Sequence, residues 1–335
     1  MKPTYISFLL LSASVLCFEI VGTRIASVVF VSDYAYIIVS LAILGLGAGG
    51  IAWHFMASPG KRPTGGVHRL FLYLGISFCA FIVAVTSFAV TSPVVFFPLL
   101  IAPFFLGGMI YARLYAATGA GFTLYATDLI GAVIGSVASV GVISLLGASN
   151  AVLLLALVAW GAWALRLSLR GSVFAARAVA VGLAVAAGVL FYNGAHDFLG
   201  PIAIGRYADK DIYYVYPDPT IRSHVVDSRW SIYGRADLLA YSHQDMVRQM
   251  FIDGAAGTQV YRFNGDLQHT NSNLQVLLLH HSNAIPFVCM GDGEKRSMLV
   301  IGPGGGKEIL IGLFGGVSFI GEAVTSAESR LSFQG

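Results

Sequence analysis

Long apolar runs separated by short polar links occupy the first 200 residues, and short alternating segments divided by turn residues occupy the rest. A membrane-spanning helix needs about 20 mostly apolar residues. Seven runs approach that length: Ile6–Phe30, Tyr34–Ala57, Leu70–Val90, Val94–Tyr111, Leu124–Leu146, Ser149–Leu165 and Val173–Tyr192. The pattern predicts seven spans, the sixth short and the seventh carrying Arg177 near its start. The N-terminal run is long, contains Glu19 and is followed by further spans, so it reads as a retained first helix and not a cleaved signal.

After Gly200 the period changes. Ile212–Tyr216, Val225–Arg229, Ala236–Tyr241, Gln249–Ile252 and Gln259–Phe263 are short and rich in β-branched and aromatic residues, which predicts a strand meander. Asp253-Gly254 and Asp292-Gly293 predict tight turns. Asn271–Asn283 reads as a helix. Ser297–Ile301 reads as a strand entering Gly302-Pro303-Gly304-Gly305-Gly306, then a helix over Lys307–Phe314 and a second strand over Val317–Ile320.

Composition sharpens the division. Of the 335 residues, 56% are hydrophobic and 11% charged, far from the quarter charged of ordinary soluble domains. Residues 1–200 carry 9 Lys/Arg and 4 Asp/Glu, and residues 201–335 carry 11 and 13. A net charge of +3 without a basic run gives no footprint for nucleic acid. The three cysteines form no CxxC or Cys/His cluster, so neither a disulfide framework nor a metal site is expected.

Lys2, then Lys61, Arg62 and Arg69, then Arg113, then Arg166, Arg170 and Arg177 fall on one side of the predicted bundle, and the links opposite carry no Lys or Arg. This asymmetry predicts a cytoplasmic N-terminus in a multi-pass protein of the cell (inner) membrane. Gly45 and Gly49, and Gly131, Gly135 and Ser139, recur every four residues, the spacing for close helix contact in the bundle or in a homodimer. Two acids are candidate intramembrane polar residues. Glu19 lies mid-helix, where a carboxylate is paired or used. Asp128 is expected in the first turn of the fifth helix, favoured there by the helix dipole.

A strand, a glycine turn and a helix form the opening unit of a nucleotide-binding α/β fold. The dinucleotide fingerprint fails at Lys307, and the phosphate-loop motif fails on spacing and at Glu308. What remains suits an adenosyl ligand without phosphates. An acid about 20 residues on commonly holds the ribose, which points to Glu322.

Arg229-Trp230-Ser231-Ile232-Tyr233-Gly234-Arg235-Ala236-Asp237, Ile252-Asp253-Gly254 and Val300-Ile301-Gly302-Pro303-Gly304-Gly305-Gly306-Lys307-Glu308, in that order, resemble the spermidine synthase (polyamine aminopropyltransferase) family, and its membrane-bound members most. Tyr125–Ala132 resembles a segment of their helical bundles. The resemblance implies an aminopropyl transfer from decarboxylated S-adenosylmethionine, a co-substrate and not a prosthetic group, to a polyamine. It implies a donor site at Gly302, Gly304, Gly305, Gly306, Glu322 and Gln259. Leu278 and Leu279 occupy positions where soluble members carry a substrate-contacting Tyr-His pair, with His280 and His281 just after. The family's general base lies beyond the second strand, so the chain is expected to be a C-terminally truncated, inactive member with its catalytic residues unassigned.

The expected architecture is therefore a multi-pass α-helical membrane bundle over 1–200. A small β-rich module with a helix follows over 201–296, and the start of a methyltransferase-like (Rossmann-type) α/β fold over 297–335. The lipid bilayer and a polyamine are the expected partners. The seven spans place residue 201 onward outside, whereas an adenosyl donor belongs inside the cell. A transporter-like protein with a ligand-binding C-terminal module, and another adenosylmethionine-dependent transferase, are the alternative readings.

Overall fold

In the computed structural model, the residues described are 3–31, 34–56, 66–118, 121–168, 173–216, 224–240, 247–267, 272–291, 297–302 and 304–323. The chain divides into two compact units, Met1–Tyr207 and Ala208–Gly335.

The first unit is helical: α1 (Pro3–Val29), α2 (Tyr34–Met56), α3 (Val67–Ser87), α4 (Pro93–Thr118), α5 (Phe122–Ser168) and α6 (Val173–His196). Helices α1 to α5 are long and apolar enough to cross a membrane. The predicted fifth and sixth spans are both contained in α5, whose 47 residues are interrupted only at Gly147, with φ 76° and ψ 165°. At 1.5 Å per residue such a helix would run about 70 Å, twice a bilayer core. The glycine break divides it into two halves. The first packs on α1, where a Cβ at Gly131 or Gly135 would strike the Leu9 or Ala13 backbone. The second packs on α3 through the Trp160 indole N–H, which donates to the Leu72 carbonyl at 3.2 Å.

The small-residue spacing is taken up inside the unit. Gly45 and Gly49 of α2 lie against Ile101, Phe104 and Phe105 of α4. Phenylalanines fill the centre, with Phe18 in edge contact with Phe78 and Phe81. Asn193 of α6 donates to Asn150 of α5 at 2.7 Å, and Asn150 donates to the Leu146 carbonyl across the break.

The second unit opens with a correction. Ile212–Tyr216, expected as a strand, contains a helical turn, α7 (Ile212–Val215). The Ile212 N–H donates to the Gly254 carbonyl and the Tyr216 hydroxyl to the Ala240 carbonyl, so tertiary anchors at both ends override β propensity. Four strands follow as an antiparallel meander in sequential order: β1 (Val225–Trp230), β2 (Arg235–Ala240), β3 (Val247–Ile252) and β4 (Ala256–Tyr261). Strand β4 begins three residues before the predicted Gln259–Phe263. Asp253 and Gly254 have φ of 52° and 73°, the left-handed pair of a tight hairpin turn. The expected turn at Asp292-Gly293 lies outside the described residues.

The predicted helix over Asn271–Asn283 is shorter, α8 (Ser272–Leu279), and is followed by a 3-10 turn (Ser282–Ala284) and a further short helix, α9 (Ile285–Cys289). Strand β5 (Ser297–Ile301), helix α10 (Lys307–Phe314) and strand β6 (Phe319–Ala323) then form a parallel β–α–β unit. Val247, Tyr261, Leu274, Leu278, Leu310 and Ile311 share one core, joining the meander, α8 and α10. A larger Rossmann-type sheet is not seen among the described residues.

Candidate functional site

The glycine turn leaves β5 and caps α10. Gly302, Gly304 and Gly306 have φ of 64°, 54° and 78°, values that disfavour any side chain. The four glycines do not face the same way. A Cβ at Gly304 would meet Thr258 at 3.1 Å, and one at Gly305 would strike the Gln259 carbonyl. The Gly305 N–H points at the Thr258 hydroxyl, 3.4 Å away. Gly302 and Gly306 face open space. The inner pair thus lets the loop lie on β4, and the outer pair lines the accessible side, beside the start of α10, where the first N–H groups of a helix have no acceptor within the helix itself.

Gln259 is brought to this loop through its backbone, and its side-chain oxygen accepts from the Tyr261 hydroxyl. Glu322 does not follow the second strand, as expected, but lies within β6, opposite Val300. It therefore stands at the C-terminal end of the parallel pair, the end from which the glycine turn departs and where open α/β sheets bind ligands.

A side-chain cluster that the sequence pattern did not reveal adjoins the loop. Lys307 Nζ lies 3.2 Å from His281 Nε2 and 3.6 Å from Glu308 Oε1. Asn283 donates to Glu308 at 3.1 Å and, through its backbone N–H, to His281 Nδ1 at 3.3 Å. These residues are 26 positions apart in sequence, and only the docking of α10 on α8 and the 3-10 turn unites them. Leu278 is core, 1% exposed, so it is not a substrate contact. His280 is exposed, with Nδ1 2.7 Å from the Val276 carbonyl.

The blocks that carry the family resemblance build a buried ionic network. The Arg235 guanidinium pairs with Asp237 at 2.9 Å, and Ser228 donates to the same carboxylate at 2.6 Å. Asp253 accepts from the Arg235 backbone N–H at 2.8 Å, holding the hairpin turn to β2. Lys210, fully buried, donates to the Asp253 carbonyl at 3.0 Å. Burial pushes the Lys210 ammonium down from the usual lysine range, against the opposing pull of the Asp209 and Asp253 charges. These groups specify the meander and lie within its packing, so they act on structure.

In the helical unit, Asp128 is not in a first turn. Helix α5 starts at Phe122 and has no acid in its first turn. The carboxylate instead accepts from Ser12 of α1 at 2.5 Å and from the Tyr115 hydroxyl of α4 at 3.4 Å. Glu19 is half-buried on α1, and its backbone carbonyl accepts from Thr23. Among the described residues no group of three or more His, Cys, Asp or Glu is arranged to hold a metal ion. No family model matches the chain, and no curated protein or solved structure matches it.

Proposed function

We propose that the chain is a membrane-resident protein of the spermidine synthase type, whose second unit holds decarboxylated S-adenosylmethionine for aminopropyl transfer to a polyamine. The observation that carries this reading is the parallel β5–glycine turn–α10–β6 unit, with Gly302 and Gly306 open and Glu322 at the same sheet end. A sulfonium donor has no phosphate, and the turn lacks the Ser or Thr that a phosphate loop places after its lysine. Glu322 is the ribose ligand in this reading, and the glycine backbone lies along the adenosyl group. The five long apolar helices support residence in a membrane.

In the transfer, the amine nitrogen bonds to the carbon beside sulfur, the carbon–sulfur bond breaks to release methylthioadenosine, and the amine loses a proton to a base. Glu308 is not assigned that role, because Asn283 and Lys307 already engage it. Donor binding is therefore the decisive measurement. Titration of the full chain in detergent with decarboxylated S-adenosylmethionine should show saturable binding, weakened in Glu322→Gln. Absence of binding by the folded wild-type chain would overturn the proposal. Mass spectrometry after adding putrescine reads out the transfer itself, and spermidine formation would show that the chain supplies a base other than Glu308.

A further inference from the structure

We propose that Arg166, near the end of α5, binds the phosphate of an anionic membrane lipid at the end of the helical bundle where its positive charges gather. Arg166 Nε and Nη2 are shut off from solvent and have no hydrogen-bond partner. Among the described residues Arg166 forms no ion pair. It lies over the Phe71 ring of α3, whose centroid is 5.7 Å from the guanidinium carbon. That distance is at the outer edge of cation–π range, and a ring face offers no lone pair to the N–H groups. Arg24 and Asp209 also hold a buried atom without a hydrogen bond, but each makes further interactions.

The surrounding links have no acid to set against this charge. Residues 57–69, 112–124 and 163–178 carry seven Lys or Arg and no Asp or Glu. The acid nearest to them in sequence is Asp128, whose carboxylate accepts from Ser12 of α1 and Tyr115 of α4. A desolvated guanidinium without a counter-charge is costly. An anion from outside the chain supplies both the charge and the acceptors that Nε and Nη2 lack.

The fold gathers these links at one end of the bundle. A Cβ at Gly66, just before α3, would meet Arg113 of α4 at 3.5 Å, and Arg113 lies 4.1 Å over the Trp53 ring near the end of α2. Phe71, five residues after Gly66, meets Arg166 two residues before the end of α5. Helices α1 to α5 are long and apolar enough to cross a membrane, so this end lies at headgroup level, where tryptophan and basic residues anchor a bundle. The loop charges predict that it faces the cytoplasm, where the leaflet is anionic.

The chemistry selects the ligand. Nε and Nη2 form one edge of the guanidinium fork, the pair that a phosphate takes with two parallel charge-assisted hydrogen bonds. A phospholipid also brings acyl chains that lie along apolar helices, which a free phosphate lacks. Arg166 keeps partial exposure, and a long side chain this close to a helix end reaches the headgroup layer by turning.

The test is titration of the full chain in dodecyl maltoside, a detergent without phosphate, with phosphatidylglycerol, phosphatidylcholine or inorganic phosphate. Native mass spectrometry counts retained lipid, and the unfolding temperature is read in parallel, since a ligand of the folded state raises it in a saturable way. Phosphatidylglycerol should do so in the wild type, and still in about 0.5 M salt, where exposed charges are screened. Arg166→Gln should weaken this binding about tenfold or more. Arg69→Gln removes an exposed charge from the same end and should leave high-salt binding unchanged. Equal high-salt binding by wild type and Arg166→Gln would overturn the proposal. So would equal weakening by Arg69→Gln, which would make the attraction a diffuse surface effect. An equal response to phosphatidylcholine would overturn the anionic assignment, and an equal response to inorganic phosphate would make the ligand soluble and overturn the lipid. If Arg166→Gln does not fold, Arg166→Lys decides, because it keeps the charge and loses the fork. Wild-type affinity of Arg166→Lys in high salt then overturns the proposal.

Discussion

Gly305 lies so close to the backbone carbonyl of Gln259 that a Cβ there would strike it. The contact reassigns this glycine from ligand approach to loop packing. Gly305→Ala should therefore destabilise the second unit by about 1–3 kcal/mol, because strand backbone must move to admit a methyl group. Gly306→Ala meets open space, but φ is 78°, and the left-handed backbone costs about 1–2 kcal/mol. Denaturant unfolding of both variants checks this, and a Gly305→Ala midpoint equal to wild type would show that β4 yields freely.

The buried pair of Arg235 and Asp237 predicts strong non-additivity. Side-chain exposure is 6% and 2%, so neither charge can recover solvent when its partner is removed. Arg235→Met or Asp237→Leu alone should cost about 3–5 kcal/mol, and the double variant clearly less than the sum. A double-mutant cycle by chemical denaturation measures the coupling. Simple additivity would mean that each charge has another partner of equal value.

Lys210 gives the second unit a pH dependence of definite sign. Its folded-state affinity for a proton is lowered by burial, so between that depressed value and the ordinary one near 10.4 the unfolded chain binds more protons. Stability therefore rises with pH across that window. Unfolding midpoints from neutral pH upward should show the rise in wild type and lose it in Lys210→Met. A fall with pH in the wild type would contradict the burial argument.

The meander and the glycine turn were legible because their determinants are local. Alternation set β1 to β4 within a few residues, and Asp253-Gly254 announced its own turn. Ile212–Tyr216 was misread because its helical turn is held by Gly254 and Ala240, partners that no local pattern reveals. The roles of Gly304 and Gly305 were hidden for the same reason, since a glycine against β4 and a glycine against a ligand look alike in sequence. The His281–Lys307 contact and the Ser12–Asp128 contact join residues 26 and 116 positions apart. The acid at 128 was visible, and its neighbours were not.

The break at Gly147 makes a topological prediction. On either side of it α5 offers 25 and 21 residues, enough for a span each, and the two halves pack on different helices. If both cross, positions near the break share a side with the α3–α4 link, and the start of α5 lies opposite. The positive links predict that this start lies in the cytoplasm with the N-terminus. Single cysteines at Ser92, Leu145 and Gly121, all exposed, can be introduced after replacing Cys17, Cys79 and Cys289. In intact cells an impermeant thiol reagent should label Ser92→Cys and Leu145→Cys, and should reach Gly121→Cys only after permeabilisation. Labelling of Gly121→Cys without permeabilisation, with the other two protected, would invert the orientation. Labelling of Leu145→Cys and Gly121→Cys from the same side would mean that the first half of α5 does not cross.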